Sequence, residues 1–152
     1  MFNLSIAKHF FVAIVLMVVA TAAPSAEPND ELQVTILIFS GRPNPTFILT
    51  DKAVLTQLKT LFKTIPVNDK FRAATIAPSI LGYNGILVEA QGKISKLPNR
   101  FLVYKENIEI EGIQQKKFLM DSNHVMEDLL LNYALEQEIL DKKMSDLIKS
   151  KR

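Results

Sequence analysis

"LQVTILIFSGRPNP", residues 32–45, opens on a period-two pattern and closes on two prolines around one asparagine. Leu32, Val34, Ile36 and Ile38 fall on one face, and Gln33, Thr35, Leu37 and Phe39 on the other. A β-branched run with that alternation predicts a strand over 32–40, polar at its start and buried on both faces towards its end. In the loop behind it, Gly41 permits positive φ, while Pro43 and Pro45 fix their own φ and remove two donors. They also push Arg42 and Asn44 towards extended geometry, so the loop has little conformational entropy left to lose. Asn44 is not a glycan acceptor despite "NPT", because the intervening residue is proline.

Working outward, Thr50 or Asp51 caps a helix whose apolar positions are Val54, Leu55, Leu58, Leu61, Phe62 and Ile65, stopped by Pro66. Residues 67–80 show no decisive period. "LGYNGILVEA", 81–90, is a glycine-bracketed strand start, and "QGK" reads as a turn. "RFLVYKENIEI", 100–110, is a further strand with a bulge near Glu106–Asn107, and "QKKFLMD" is a short closing strand. "DSN", 121–123, offers three N-cap residues for a last helix that runs to about residue 148 on Met126, Leu129, Leu130, Tyr133, Leu140, Met144 and Leu147. The order β-α-β-β-β-α predicts an α+β domain: an antiparallel sheet of about four strands with two helices on one face.

Residues 1–22 differ in kind. A positive start with Lys8, the apolar run "FFVAIVLMVV" and the exit Ala20-Thr21-Ala22 have the parts of a cleavable secretory signal peptide. The run is shorter than the ~20 residues a membrane-spanning helix needs. Residues 23–31 follow as a flexible lead-in, 32–135 as the α+β domain, and 136–152 as a C-terminal helix extension. The expected location is secreted or periplasmic, with membrane contact only through an uncleaved leader. Without Lys8, the 18 Lys plus Arg become 17 against 16 Asp plus Glu, a net charge of +1. That balance gives no pull towards nucleic acid. With no cysteine, stability rests on packing rather than on disulfides.

The stiff loop has two readings. In one, Arg42 and Asn44 are held ready for a partner's carboxylate or backbone, because rigidity lowers the ordering cost of binding. In the other, the loop is a rigid crossover from strand to helix, with Arg42 paired to an internal carboxylate such as Glu127. Tyr83 and Asn84 divide the same way. Exposed, they form a recognition edge beside Arg42; buried, Tyr83 is core with a hydrogen-bonded hydroxyl.

"FSGRPNPTF", "LGYNGILVE" and the acidic "EDLLLNYA" together resemble a family of small exported proteins marked by S-G-R-P-N-P, L-G-Y-x-G and a terminal E-x-x-L-L helix. The resemblance covers about residues 32–135 and implies a shared fold rather than a mechanism. Its signature positions here are Ser40, Gly41, Arg42, Pro43, Asn44, Pro45, Leu81, Gly82, Tyr83 and Gly85. Two departures are Phe47, where the family carries tryptophan, and the helical tail past about residue 136.

Residue types narrow the chemistry. With no cysteine and, past the leader, His124 as the single histidine, no metal site and no cofactor is expected. "DSNH", 121–124, crowds Asp, Ser and His at a helix start, where capping explains them better than a triad assembled from distant segments. Glu89, Glu109 and Asp121 are the carboxyl groups open to a hydrolase of two-carboxylate type. The expected function is a non-catalytic protein- or peptide-binding module of the envelope or exterior, with Arg42, Asn44, Tyr83 and Asn84 as its face. The alternatives are that hydrolase, or a homo-oligomer joined through the apolar stripe of the C-terminal helix.

Overall fold

Alternating aliphatic residues along Leu32–Ile36 (β1) make the first strand of the sheet, with Leu32, Val34 and Ile36 buried. The computed structural model describes residues 30–38, 43–69, 82–112 and 115–151. Within them β1 is followed by β2 (Thr46–Leu49), α1 (Lys52–Thr64), β3 (Ile86–Ala90), β4 (Arg100–Tyr104), β5 (Asn107–Ile110), β6 (Lys117–Met120), α2 (Val125–Glu136) and α3 (Lys142–Lys149). The strands form one antiparallel sheet in the order β2-β1-β3-β4-β5-β6. The α+β class and the antiparallel sheet follow the sequence. The counts do not: the described residues hold six strands and three helices, against the four and two expected.

Each difference has a local cause. The proline loop does not cross from strand to helix; it closes a β1–β2 hairpin, in which Phe47 pairs with Val34 and Leu49 with Leu32. The run read as one bulged strand is two, since Tyr104 pairs with Asn107 across a two-residue turn at Lys105–Glu106. The last helix breaks after Glu136. Glu138 adopts positive φ, and Asp141 starts α3 by accepting the Met144 amide at 2.6 Å.

One sheet face carries Leu32, Val34, Ile36, Phe47, Leu49, Ile86, Val88, Phe101, Val103, Ile108 and Leu119, all buried. Helices α1 and α2 cover it with Leu55, Leu58, Met126, Leu130, Leu131 and Ala134, which belong to the same core. Phe62 meets Phe101 edge to face at 4.7 Å between centroids, a geometry that adds attraction beyond area burial. As expected, Asp51 caps α1, its Oδ1 accepting the Ala53 and Val54 amides at 2.8 and 3.0 Å. The opposite face is half-exposed and salted with ions: Arg100 bridges Glu89 and Glu111, and Lys116 pairs with Glu109.

The sheet edges differ. Beyond β6, the Asn68 amide donates to Phe118 O and the Met120 amide to Pro66 O, so that side is sealed. On β2, the Ile36 amide donates to Pro45 O, which sets the phase and turns the main-chain groups of Thr46 and Ile48 outward. Among the described residues nothing bonds to them.

The tail is no appendage. Leu140, Ser145 and Ile148 are buried; of the stripe that suggested an oligomer contact, Leu140 is buried, Met144 half-buried and Leu147 exposed. No described helix is long and apolar enough to cross a membrane. Ser145 is 1% exposed, and among the described residues its hydroxyl has no hydrogen-bond partner. Removing a stranded hydroxyl and raising helix propensity act in the same direction, so Ser145→Ala is expected to stabilise the fold by about 1 kcal/mol. The urea midpoint reads this, and a lower midpoint would mean that the hydroxyl serves a purpose.

Candidate binding site

Two glycines at positive φ aim Tyr83. Gly82 (φ 118°) and Gly85 (φ 102°) stand either side of it, and a Cβ on Gly85 would lie 2.5 Å from the Val103 carbonyl oxygen. That close approach lets the Leu37 amide donate to Gly85 O at 2.9 Å, and the Asn84 amide to Leu37 O at 2.7 Å. The neighbouring proline loop is fastened by a side chain. Asn44 Oδ1 accepts the Ile38 amide at 2.8 Å, a side-chain acceptor continuing the bonding of β1 past the Ile36–Pro45 contact.

Tyr83 is thereby directed inward, 6% exposed, and its hydroxyl donates to Glu127 Oε1. Glu127 has no exposure at all. Its Oε2 lies 3.2 Å from His124 Nδ1, which is also 3.1 Å from the Lys105 carbonyl oxygen. A carbonyl only accepts, so Nδ1 carries the hydrogen and shares it between the two oxygens. Asp121 holds the start of α2. Its carboxyl oxygens accept the amides of Val125 (2.9 Å), Met126 (3.0 Å) and Glu127 (3.3 Å), and its own amide donates to Glu106 O at 2.8 Å. Helix α2 and the β4–β5 turn are therefore bolted together through Asp121 and His124.

On the outer side of this cluster lies a hollow of about 410 Å³. Tyr83 and Tyr104 are among its lining residues, with ring centroids 5.9 Å apart. Ile38, Leu147 and Ile148 also line it, and so do Lys105 and Lys151. Lys105 Nζ stands 5.4 Å from the centroid of the Tyr104 ring, within cation–π range. Lys105 itself has φ 54° as the first residue of the turn, a conformation ordinarily left to glycine.

The candidates from sequence divide clearly. Ser40, Gly41, Arg42 and Leu81 lie outside the described residues, as do the leader and most of the lead-in. Asn44 and Asn84 are half-buried and tie loops together, Asn84 Nδ2 donating to Gly82 O at 3.1 Å. Tyr83 takes the core role rather than that of an exposed edge, because its ring and hydroxyl are used internally. The carboxyl groups weighed for hydrolysis do not converge. Glu89 and Glu109 sit on the ion-paired outer face with cationic partners, whereas Asp121 is buried on backbone amides. The Asp-Ser-His run is a cap, as Asp121 shows. Among the described residues no group of three or more His, Cys, Asp or Glu is placed to hold a metal ion.

Sequence reasoning passed over Tyr104, Lys105 and the α3 wall. The signal for the first two was "YKEN" as a polar break between two β runs; for the wall it was Asp141, an N-cap residue inside a helical pattern.

Fold and hollow together define a small α+β domain with a helix-backed antiparallel sheet and a recess where strand ends meet the end of α3. In comparison with known proteins, the chain matches no family model, no curated protein and no solved structure.

Proposed function

We propose that the protein is an exported, non-catalytic module that binds a protein or peptide at the hollow between Tyr83, Tyr104 and α3. The observation that carries this reading is the lining itself. Among the described residues it offers aromatic rings, aliphatic side chains and two ammonium groups, but no carboxyl, imidazole or thiol to act on a substrate. The reactive-looking groups nearby, Glu127, His124 and Asp121, are buried or half-buried and engaged with one another or with backbone. Small-ligand pockets in general have this makeup of apolar walls with a few convergent polar groups. Export rests on the leader sequence. Arg42 belongs to the same proposal through connectivity, four residues along the chain from Ile38 in the lining.

Leu147 is 49% exposed on the wall, so Leu147→Glu alters the hollow without touching the core. Immobilised wild-type protein is expected to retain a partner from the envelope or culture-medium fraction that Leu147→Glu and Arg42→Ala release at least ten-fold more readily. Folded variants that retain every partner equally would overturn the site.

A further inference from the structure

Resting on that reading, we infer that the hollow takes the free carboxyl terminus of a peptide ending in an apolar residue. Three observations set the ligand's chemistry. Charge comes first: Lys105 and Lys151 share the lining, no acidic residue is among the described lining residues, and neither lysine is in an ion pair among them. The site is complementary to an anion. Shape follows from the aromatic base and the wall of Ile38, Leu147 and Ile148, which call for an apolar group beside that anion. A chain's last residue supplies both from one Cα, whereas an internal aspartate or glutamate carries its charge at the end of its own side chain. A volume of about 410 Å³ is near the lower end of the small-ligand range of about 300–1,000 Å³, which suits one or two terminal residues.

The backbone agrees. A lysine at φ 54° in a tight turn is in a conformation that an L side chain resists, where glycine would sit without strain. In this position it places an ammonium group beside the Tyr104 ring at the hollow. A strained residue kept at a ligand-facing turn is accounted for when the side chain serves recognition and the turn does not need it.

The probes are fluorescein-labelled Gly-Ser-Gly-Ser-Leu-Phe with a free carboxyl end, its amidated twin, a twin ending in Ser-Ser, and dodecanoate as competitor. Anisotropy with the purified protein is expected to show binding of the free acid, weakened at least ten-fold by amidation and by the serine ending. Lys105→Glu and Lys151→Glu are each expected to weaken it about ten-fold, and added salt to weaken it further. Lys105→Gly is expected to raise the thermal midpoint while losing affinity, a split that a purely structural lysine would not produce.

Equal binding of acid and amide, lost in Leu147→Glu, overturns the carboxylate and leaves the hollow as a binding site. Dodecanoate binding with no peptide binding overturns the peptide terminus in favour of a fatty acid. If no probe binds but Leu147→Glu still releases the captured partner, the ligand class alone fails. If no probe binds and capture is unchanged, the functional reading fails with it.

Discussion

Glu127→Ala is expected to cost about 4 kcal/mol of folding stability, the upper end of what single truncations do. The carboxyl group is fully buried and receives the Tyr83 hydroxyl on one oxygen and the His124 Nδ1 hydrogen on the other. Truncation leaves a cavity and deprives two donors, one of them buried, of an acceptor. A small domain has roughly 5–15 kcal/mol in all, so this variant sits near the edge of folding at room temperature. Urea unfolding at constant slope measures the loss. Tyr83→Phe, which keeps the ring, is expected to cost about 1–2 kcal/mol. A double-mutant cycle with Glu127→Ala is expected to give a coupling of about 1 kcal/mol or more. Additive losses, or a loss below about 1 kcal/mol for Glu127→Ala, would show that the carboxyl group is not what holds the site together.

Asp121→Ala comes second, at about 3 kcal/mol, larger than an ordinary exposed N-cap because three amides rather than one lose their acceptor in a buried setting. Its effect has a second readout. Asp121 joins α2 to the turn that carries Lys105, so loosening that joint is expected to weaken ligand binding as well as stability. Asp121→Asn retains an acceptor oxygen and is expected to recover about half of the lost stability. An unchanged unfolding midpoint for the alanine variant would mean that water replaces the cap.

Local signals were readable in the sequence and long-range ones were not. Asp51 and Asp121 act as caps because capping is decided within four to six residues, and both are visible as Asp ahead of an apolar period. Period-two alternation marked β1 for the same reason. Strand β2 was hidden by its length of four residues and by Pro45 immediately before it, although Phe47 and Leu49 already alternate with Thr46 and Ile48. The β4–β5 turn was hidden because Lys105–Glu106 is not a glycine- or asparagine-bearing pair, and a bulge fits the same letters. The break before α3 lacks proline and glycine; only Glu138 at positive φ and the Asp141 cap make it. The meeting of "PNP", "GYNG" and the acidic helix start is a tertiary fact. Nothing in the spacing of Asn44, Tyr83 and Glu127 along the chain says that hairpin closure, glycine-bracketed turn and buried carboxyl group adjoin. The hollow is likewise a product of α3 folding back, which no single window of sequence contains.

The unequal margins of the sheet carry a consequence for how the molecule meets copies of itself. Among the described residues, Pro66–Asn68 lies along β6, and β2 is the margin whose main-chain groups face outward. Two molecules joining there would use up each other's unspent amides and leave no described sheet margin open to a third. For the described residues, growth through the sheet margins would thus end at a pair, a limit set by a three-residue strap rather than by surface charge.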